Sequence, residues 1–191
     1  MRFSVASVFS DFAMLASSDK PWLNALTMAG TRNHYEIAFS ALLTRAGSTA
    51  MSVDEVRRPV MNGRELKNFD FLVNGPREVW ALDLKGRRGT PWVTRTDLFS
   101  MLGWQTQFNA KARTGFVFGF FAPAGRAFTR GVSALPSSLV TTPAGDYRFC
   151  LIDVETAQRL AQPRSRRWGT FGFDFKSFAA AARPLEGTII S

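Results

Sequence analysis

Residues 68–88 read NFDFLVNGPREVWALDLKGRR, and the alternation within this stretch decides the fold. Phe69, Phe71 and Val73 alternate with Asp70 and Leu72, the two-residue period of a strand. Asn74-Gly75-Pro76 is a turn signal, and residues 79–84 are apolar enough for a central strand. The two strands therefore form a hairpin. Asp83 and Lys85, two apart at the end of its second strand, project from one face, and Asp70 on the neighbouring strand can lie opposite them. Burying unpaired charge is costly, so such groups set among apolar residues either pair with one another or hold a metal. A lone Asp-x-Lys is equally the pattern of a structural ion pair at a strand end. The surrounding elements have to separate the two.

Upstream, residues 31–46 are helical in period, with Tyr35, Phe39, Leu42 and Leu43 on one face and Glu36 among them. Thr31 or Asn33 can cap this helix and Gly47 can end it. Residues 50–58 read as extended, and Asn62-Gly63 is a strong turn signal. Downstream, residues 86–92 form a basic, glycine-containing loop. Thr96 or Asp97 opens a second helix carrying Leu98, Met101, Leu102, Gln105 and Phe108, and residues 115–121 (GFVFGFF) are a buried strand. The order is helix, three strands, helix, strand. Past residue 123 the pattern gives a strand at 147–154, a short helix at 155–161, a basic loop at 163–168 (PRSRRW) and a last helical turn at 178–182. The expected organisation is an N-terminal arm (1–30), a core (31–122) and a C-terminal extension (123–191) packed on that core, one domain overall.

The chain has 191 residues, 24 Lys plus Arg against 15 Asp plus Glu, and a net charge of +9. That surplus favours polyanionic partners. One cysteine and one histidine exclude an intramolecular disulfide and zinc sites of the four-cysteine or two-cysteine, two-histidine kind. Cys150, inside the apolar run 149–152, reads as a buried structural thiol. No apolar stretch reaches ~20 residues, so no membrane span is expected and a cytoplasmic location is the default.

Taken together, the Asn68-Phe69-Asp70 and Asp83-Leu84-Lys85 motifs in this element order resemble the PD-(D/E)XK nuclease superfamily, which includes restriction endonucleases and Holliday-junction resolvases. Phe69 stands where that family often has Pro. The resemblance spans roughly residues 31–121. It implies an α/β fold with an αβββαβ core, that is, a mixed central sheet flanked by helices. It also implies that Glu36 matches the acidic residue many members carry on the first helix. Gln105 would match a polar residue some members direct at the nucleophile water or DNA; a plain helix-surface amide is the alternative. The implied chemistry is phosphodiester hydrolysis, most readily as an endonuclease on DNA. Asp70, Asp83, the Leu84 backbone carbonyl and Glu36 would be oxygen ligands for Mg²⁺, with Mn²⁺ able to substitute, and Lys85 would assist the water or the phosphorane.

Arg87 and Arg88 follow the motif directly and suit phosphates flanking the cut, as do Arg57, Arg58 and Lys67, with Trp92 placed to stack on a base. Arg164, Arg166 and Arg167 form a second basic cluster. Glu55 is a further acidic candidate, with Arg57 or Arg58 as its alternative partner. His34 is expected to pack or to contact phosphate. A homodimer is expected if two strands are cut. The competing reading is a non-catalytic nucleic-acid-binding or assembly protein on a nuclease-like scaffold.

Overall fold

The computed structural model describes residues 34–53, 58–61 and 63–191. The N-terminal arm, the caps Thr31 and Asn33, and the candidates Glu55 and Arg57 lie outside these residues.

The first helix, α1 (His34–Arg45), buries Ala38, Phe39, Leu42 and Leu43, the face expected from its period. It ends at Gly47, whose φ of 66° permits the reversed turn; Gly47 N donates to the Thr44 carbonyl and Ser48 N to the Leu43 carbonyl, a Schellman closure. Then come β1 (Thr49–Ser52), a two-strand ribbon of β2 (Val60–Met61) and β3 (Arg64–Glu65), β4 (Phe71–Asn74) and β5 (Val79–Arg87). Short β6 (Trp92–Thr94) leads into α2 (Arg95–Phe108), and β7 (Ala112–Pro123) follows. The six-stranded sheet runs β1-β4-β5-β7, then β9 (Gly145–Asp153) and β8 (Ser138–Thr142). β5 and β7 are parallel and the other pairs antiparallel. This is the mixed α/β fold with an αβββαβ core that the motif context implied. The C-terminal residues do more than pack on that core, because β9 and β8 continue its sheet.

Alternation along β5 separates two cores. Trp80, Leu82 and Leu84 join α1, Phe71 and Val73 on one face. Ala81 joins Leu98 and Met101 of α2, Phe116, Phe118 and Phe178 on the other. α3 (Val154–Leu160) and α4 (Phe175–Ala181) also pack on this second face, through Val154, Ala157 and Phe178. Asp83 and Lys85 share the parity of Ala81, so they face α2 and not α1.

Two regions differ from the sequence reading. The expected loop at 86–92 is strand as far as Arg87, because parallel pairing with β7 continues through Gly86↔Gly119 and Arg87↔Phe120. The first half of the expected loop at 163–168 belongs to β10 (Ala161–Ser165), and 166–168 are turn; β10 pairs with β11 (Thr170–Phe173), and β11 in turn pairs with β6. Pro163 and Arg164 there hid the first strand of a short hairpin, whose second strand pairs with the distant β6. Among the described residues no helix is long and apolar enough to cross a membrane.

The Tyr35 ring lies across the paired glycines Gly86 and Gly119. A Cβ on Gly86 would run into that ring, and one on Gly119 would come within 3.0 Å of it. The Tyr35 hydroxyl also donates to the Arg87 carbonyl at 3.2 Å. Gly86→Ala is therefore expected to push α1 off the end of β5 and to cost about 1–3 kcal/mol in urea unfolding. An unchanged midpoint would show that the helix does not need this approach.

Candidate active site

Asp70 stands just before β4. Its N–H donates to the Leu82 carbonyl at 2.8 Å, although the register sets Leu82 opposite Phe71. This one-residue irregularity, of the bulge kind, carries the Asp70 side chain past the strand end. Asp70 Oδ2 accepts from the Leu84 N–H at 2.6 Å. Asp70 and Asp83 thus flank the same short piece of β5. Backbone polar groups alternate along a strand, so the Leu84 carbonyl points to the same side as its N–H, towards Asp70.

Asp83 and Lys85 are 1% and 7% exposed, which makes their partners decisive. Lys85 Nζ lies 2.7 Å from Asp83 Oδ2 and 2.9 Å from Asp97 Oδ1. Lys67 Nζ lies 3.2 Å from Asp83 Oδ1 and 3.3 Å from Asp97 Oδ1. Two ammonium groups and two carboxylates form a closed ring on an otherwise apolar face, with Asp70 beside it. Burial works against the Lys67 ammonium, but Asp83, Asp97 and Asp70 outweigh it and raise its pKa above the usual lysine range. Burial would likewise raise Asp97, but Lys85 and Lys67, with hydrogen bonds from Lys85 and Thr94, hold it well below the usual carboxylate range.

Helix α2 supplies one of the ring's four groups, Asp97, and anchors the segment that carries a second, Lys67. Thr94 is its N-cap and Asp97 its third residue, in a reciprocal capping box: Asp97 N donates to Thr94 Oγ1 at 3.0 Å and Thr94 N to Asp97 Oδ2 at 2.9 Å. The cap is thus two residues before the expected Thr96, and Asp97 spends one oxygen on capping and the other on the lysines. The segment bearing Lys67 is docked on α2 by its backbone: Lys67 N donates to Ser100 Oγ at 2.9 Å and Trp104 Nε1 to the Lys67 carbonyl at 3.0 Å.

The structure therefore brings together Asp70, Asp83, Lys85 and the Leu84 peptide. Lys67, read from sequence as a phosphate contact, is instead an internal ion-pair partner. Asp97, read only as a helix opener, is the acidic residue that completes the group. Glu36 is exposed on α1, which packs on the sheet face opposite Asp83 and Lys85. Gln105 is turned away from the ring: its Oε1 accepts from Thr114 N at 2.9 Å and Thr114 Oγ1 at 3.0 Å, tying α2 to β7. His34 packs, with Nδ1 3.0 Å from the Tyr147 hydroxyl and its ring against Tyr35 and Phe121. Cys150 is buried, and burial pushes its thiol up to about 12.

Arg87 is not an open phosphate contact. Its guanidinium lies 3.8 Å over the Trp92 ring while Nε and Nη2 donate to the Trp92 carbonyl at 2.9 and 2.7 Å. Arg58 and Arg88 are exposed.

Among the described residues no three His, Cys, Asp or Glu side chains converge as a metal cluster. The oxygen donors nonetheless suit a hard cation: Asp70, Asp83 and the Leu84 carbonyl offer no nitrogen or sulfur. The inner group of Lys67, Lys85, Asp70, Asp83 and Asp97 carries one net negative charge, which favours a cation. Lys67 and Lys85 are the groups such a cation would have to share Asp83 with.

No family model and no curated protein matches the sequence. Among solved structures the chain is similar to Archaeoglobus fulgidus Hjc, a Holliday junction resolvase from an archaeal hyperthermophile. The two are 12% identical over 79% of this chain and 93% of that one, with a TM-score of 0.47.

Proposed function

We propose that the chain is a metal-dependent nuclease that hydrolyses phosphodiester bonds, with DNA as the favoured substrate and Mg²⁺ or Mn²⁺ as the cofactor. The observation that carries this reading is the convergence of Asp70 and Asp83 on the two sides of Leu84, with Lys85 on the same face as Asp83. Asp70, Asp83 and the Leu84 carbonyl would hold the metal. When bound, the metal would polarise the phosphate and lower the pKa of a water. Lys85, fixed by two carboxylates, donates to the charge that builds on the phosphorane. Asp97 keeps Lys85 aimed along β5 and acts as a positioning residue. Glu36 enters only if nucleic acid or metal draws its side chain round the sheet edge.

One observation favours a second reading, a binding protein without catalysis: both Asp83 oxygens already face ammonium groups. Incubation with supercoiled, branched and single-stranded DNA and with RNA separates the two. The nuclease reading expects cleavage in Mg²⁺ or Mn²⁺ that stops in EDTA. Salt-sensitive binding without cleavage of any of these forms would sink it.

A further inference from the structure

A second site lies next to the ion-pair ring. The sheet β10-β11-β6 turns Val93, Phe171 and Phe173 into the core. Its other face carries Trp92, Thr94, Thr170 and Arg164, which with Ser165 and Trp168 line a hollow of about 550 Å³. That volume falls within the range of small-ligand clefts, roughly 300–1,000 Å³. Trp168 is 71% exposed, an unusual position for so large an apolar ring. It sits in a turn held by donation from Trp168 N to Ser165 Oγ at 3.3 Å and from Arg95 N to the Gly169 carbonyl at 2.6 Å. The ring is therefore presented by a fixed turn, and no contact with the core accounts for it.

Charge identifies the occupant. Residues 86–96 and 161–173 contribute six Arg and no Asp or Glu. The Arg164 guanidinium lies 5.3 Å from the Trp92 ring and that of Arg167 lies 5.1 Å from the Trp168 ring. Aromatic faces interleaved with guanidinium groups suit an unpaired base with its phosphate. A buried duplex base cannot reach such a hollow, and an acidic peptide would leave the indole faces without a planar partner.

The site is joined to the ring by covalent and hydrogen-bonded steps. Thr94, on its floor, caps Asp97. Arg87, two residues beyond Lys85 and roughly 7 Å along the strand, grips the Trp92 carbonyl.

We propose that the hollow between Trp92 and Trp168 holds an unpaired nucleobase of the nucleic-acid substrate; this rests on the nucleic-acid reading above. The test compares binding of the full chain, in EDTA, to a blunt duplex, the same duplex with a single-stranded tail of DNA or RNA, and one with an abasic tail. The tailed duplexes are expected to bind roughly 5- to 150-fold more tightly than the blunt one, the effect of one stacked base. Trp168→Ala should bring that ratio near one, and so should the abasic tail. Because Trp168 is exposed, its variant should melt with the wild type. A tail preference that survives Trp168→Ala, or that the abasic tail keeps in full, overturns the proposal. Cleavage in Mg²⁺ is followed in parallel: cleavage without tail preference overturns this site alone, and tail preference without cleavage overturns the nuclease reading alone.

Discussion

Asp83→Asn is expected to abolish Mg²⁺-dependent cleavage, with a loss of at least about 10³-fold in single-turnover rate. The asparagine keeps the shape of a side chain that is 1% exposed but removes the charge that both the metal and Lys85 require. Asp83→Ala should lose as much activity and fold less well. It leaves the Lys67 and Lys85 ammonium groups, both beside Asp97, with one carboxylate fewer. Removing one partner of a buried pair costs about 3–5 kcal/mol. Measuring unfolding beside cleavage separates the two effects. Asp83→Asn that folds and cleaves within tenfold of wild type would remove Asp83 from the catalytic assignment.

Asp97→Ala is expected to give the largest stability loss among the ring variants. It strips both lysines of a carboxylate and takes the Thr94 N–H partner from the start of α2. The ionic part costs about 3–5 kcal/mol and the cap about 1 kcal/mol more. For a domain of this size the ionic part alone corresponds to roughly 6–20 °C in melting temperature. The pH dependence has a definite sign. Asp97 is held below its unfolded value, mainly by Lys85 and Lys67 against the opposing effect of burial. Its contribution is therefore complete above the unfolded value, about pH 4, and is lost as pH falls towards the depressed folded value. Acid unfolding of wild type should show this loss, and Asp97→Ala should flatten the melting profile below pH 4. A variant that melts within about 2 °C of wild type at pH 7 would show that the ring closes without Asp97.

Much of the fold could be read locally. The period of α1, the alternation of Phe69 to Val73, the Asn74-Gly75-Pro76 turn and the apolar strand at 115–121 are short-range signals, and each element formed within a few residues of its expected bounds. Asp83 and Lys85 on one face followed from strand parity alone. The β10 strand was hidden because Pro163, Arg164 and Ser165 look like loop residues until β11 pairs with Pro163 and Ser165.

The site divides along the same line. Sequence by itself placed Asp83 and Lys85 on one face of a strand and Asp70 at the start of its hairpin neighbour, because a hairpin fixes neighbours through bond geometry. Only the tertiary structure decided what surrounds them. Lys67 and Asp97 are 30 residues apart and join through one ion pair. Asp97 also has a sufficient local role as a capping residue, so nothing in its neighbourhood announced a second one. Gln105 went the other way: its place on α2 suited a catalytic role, and packing spent its amide on Thr114. Period and turn chemistry act over a few residues, whereas charge pairing acts wherever the packed sheet and helix bring groups within about 3 Å; the chain's own order does not record that distance.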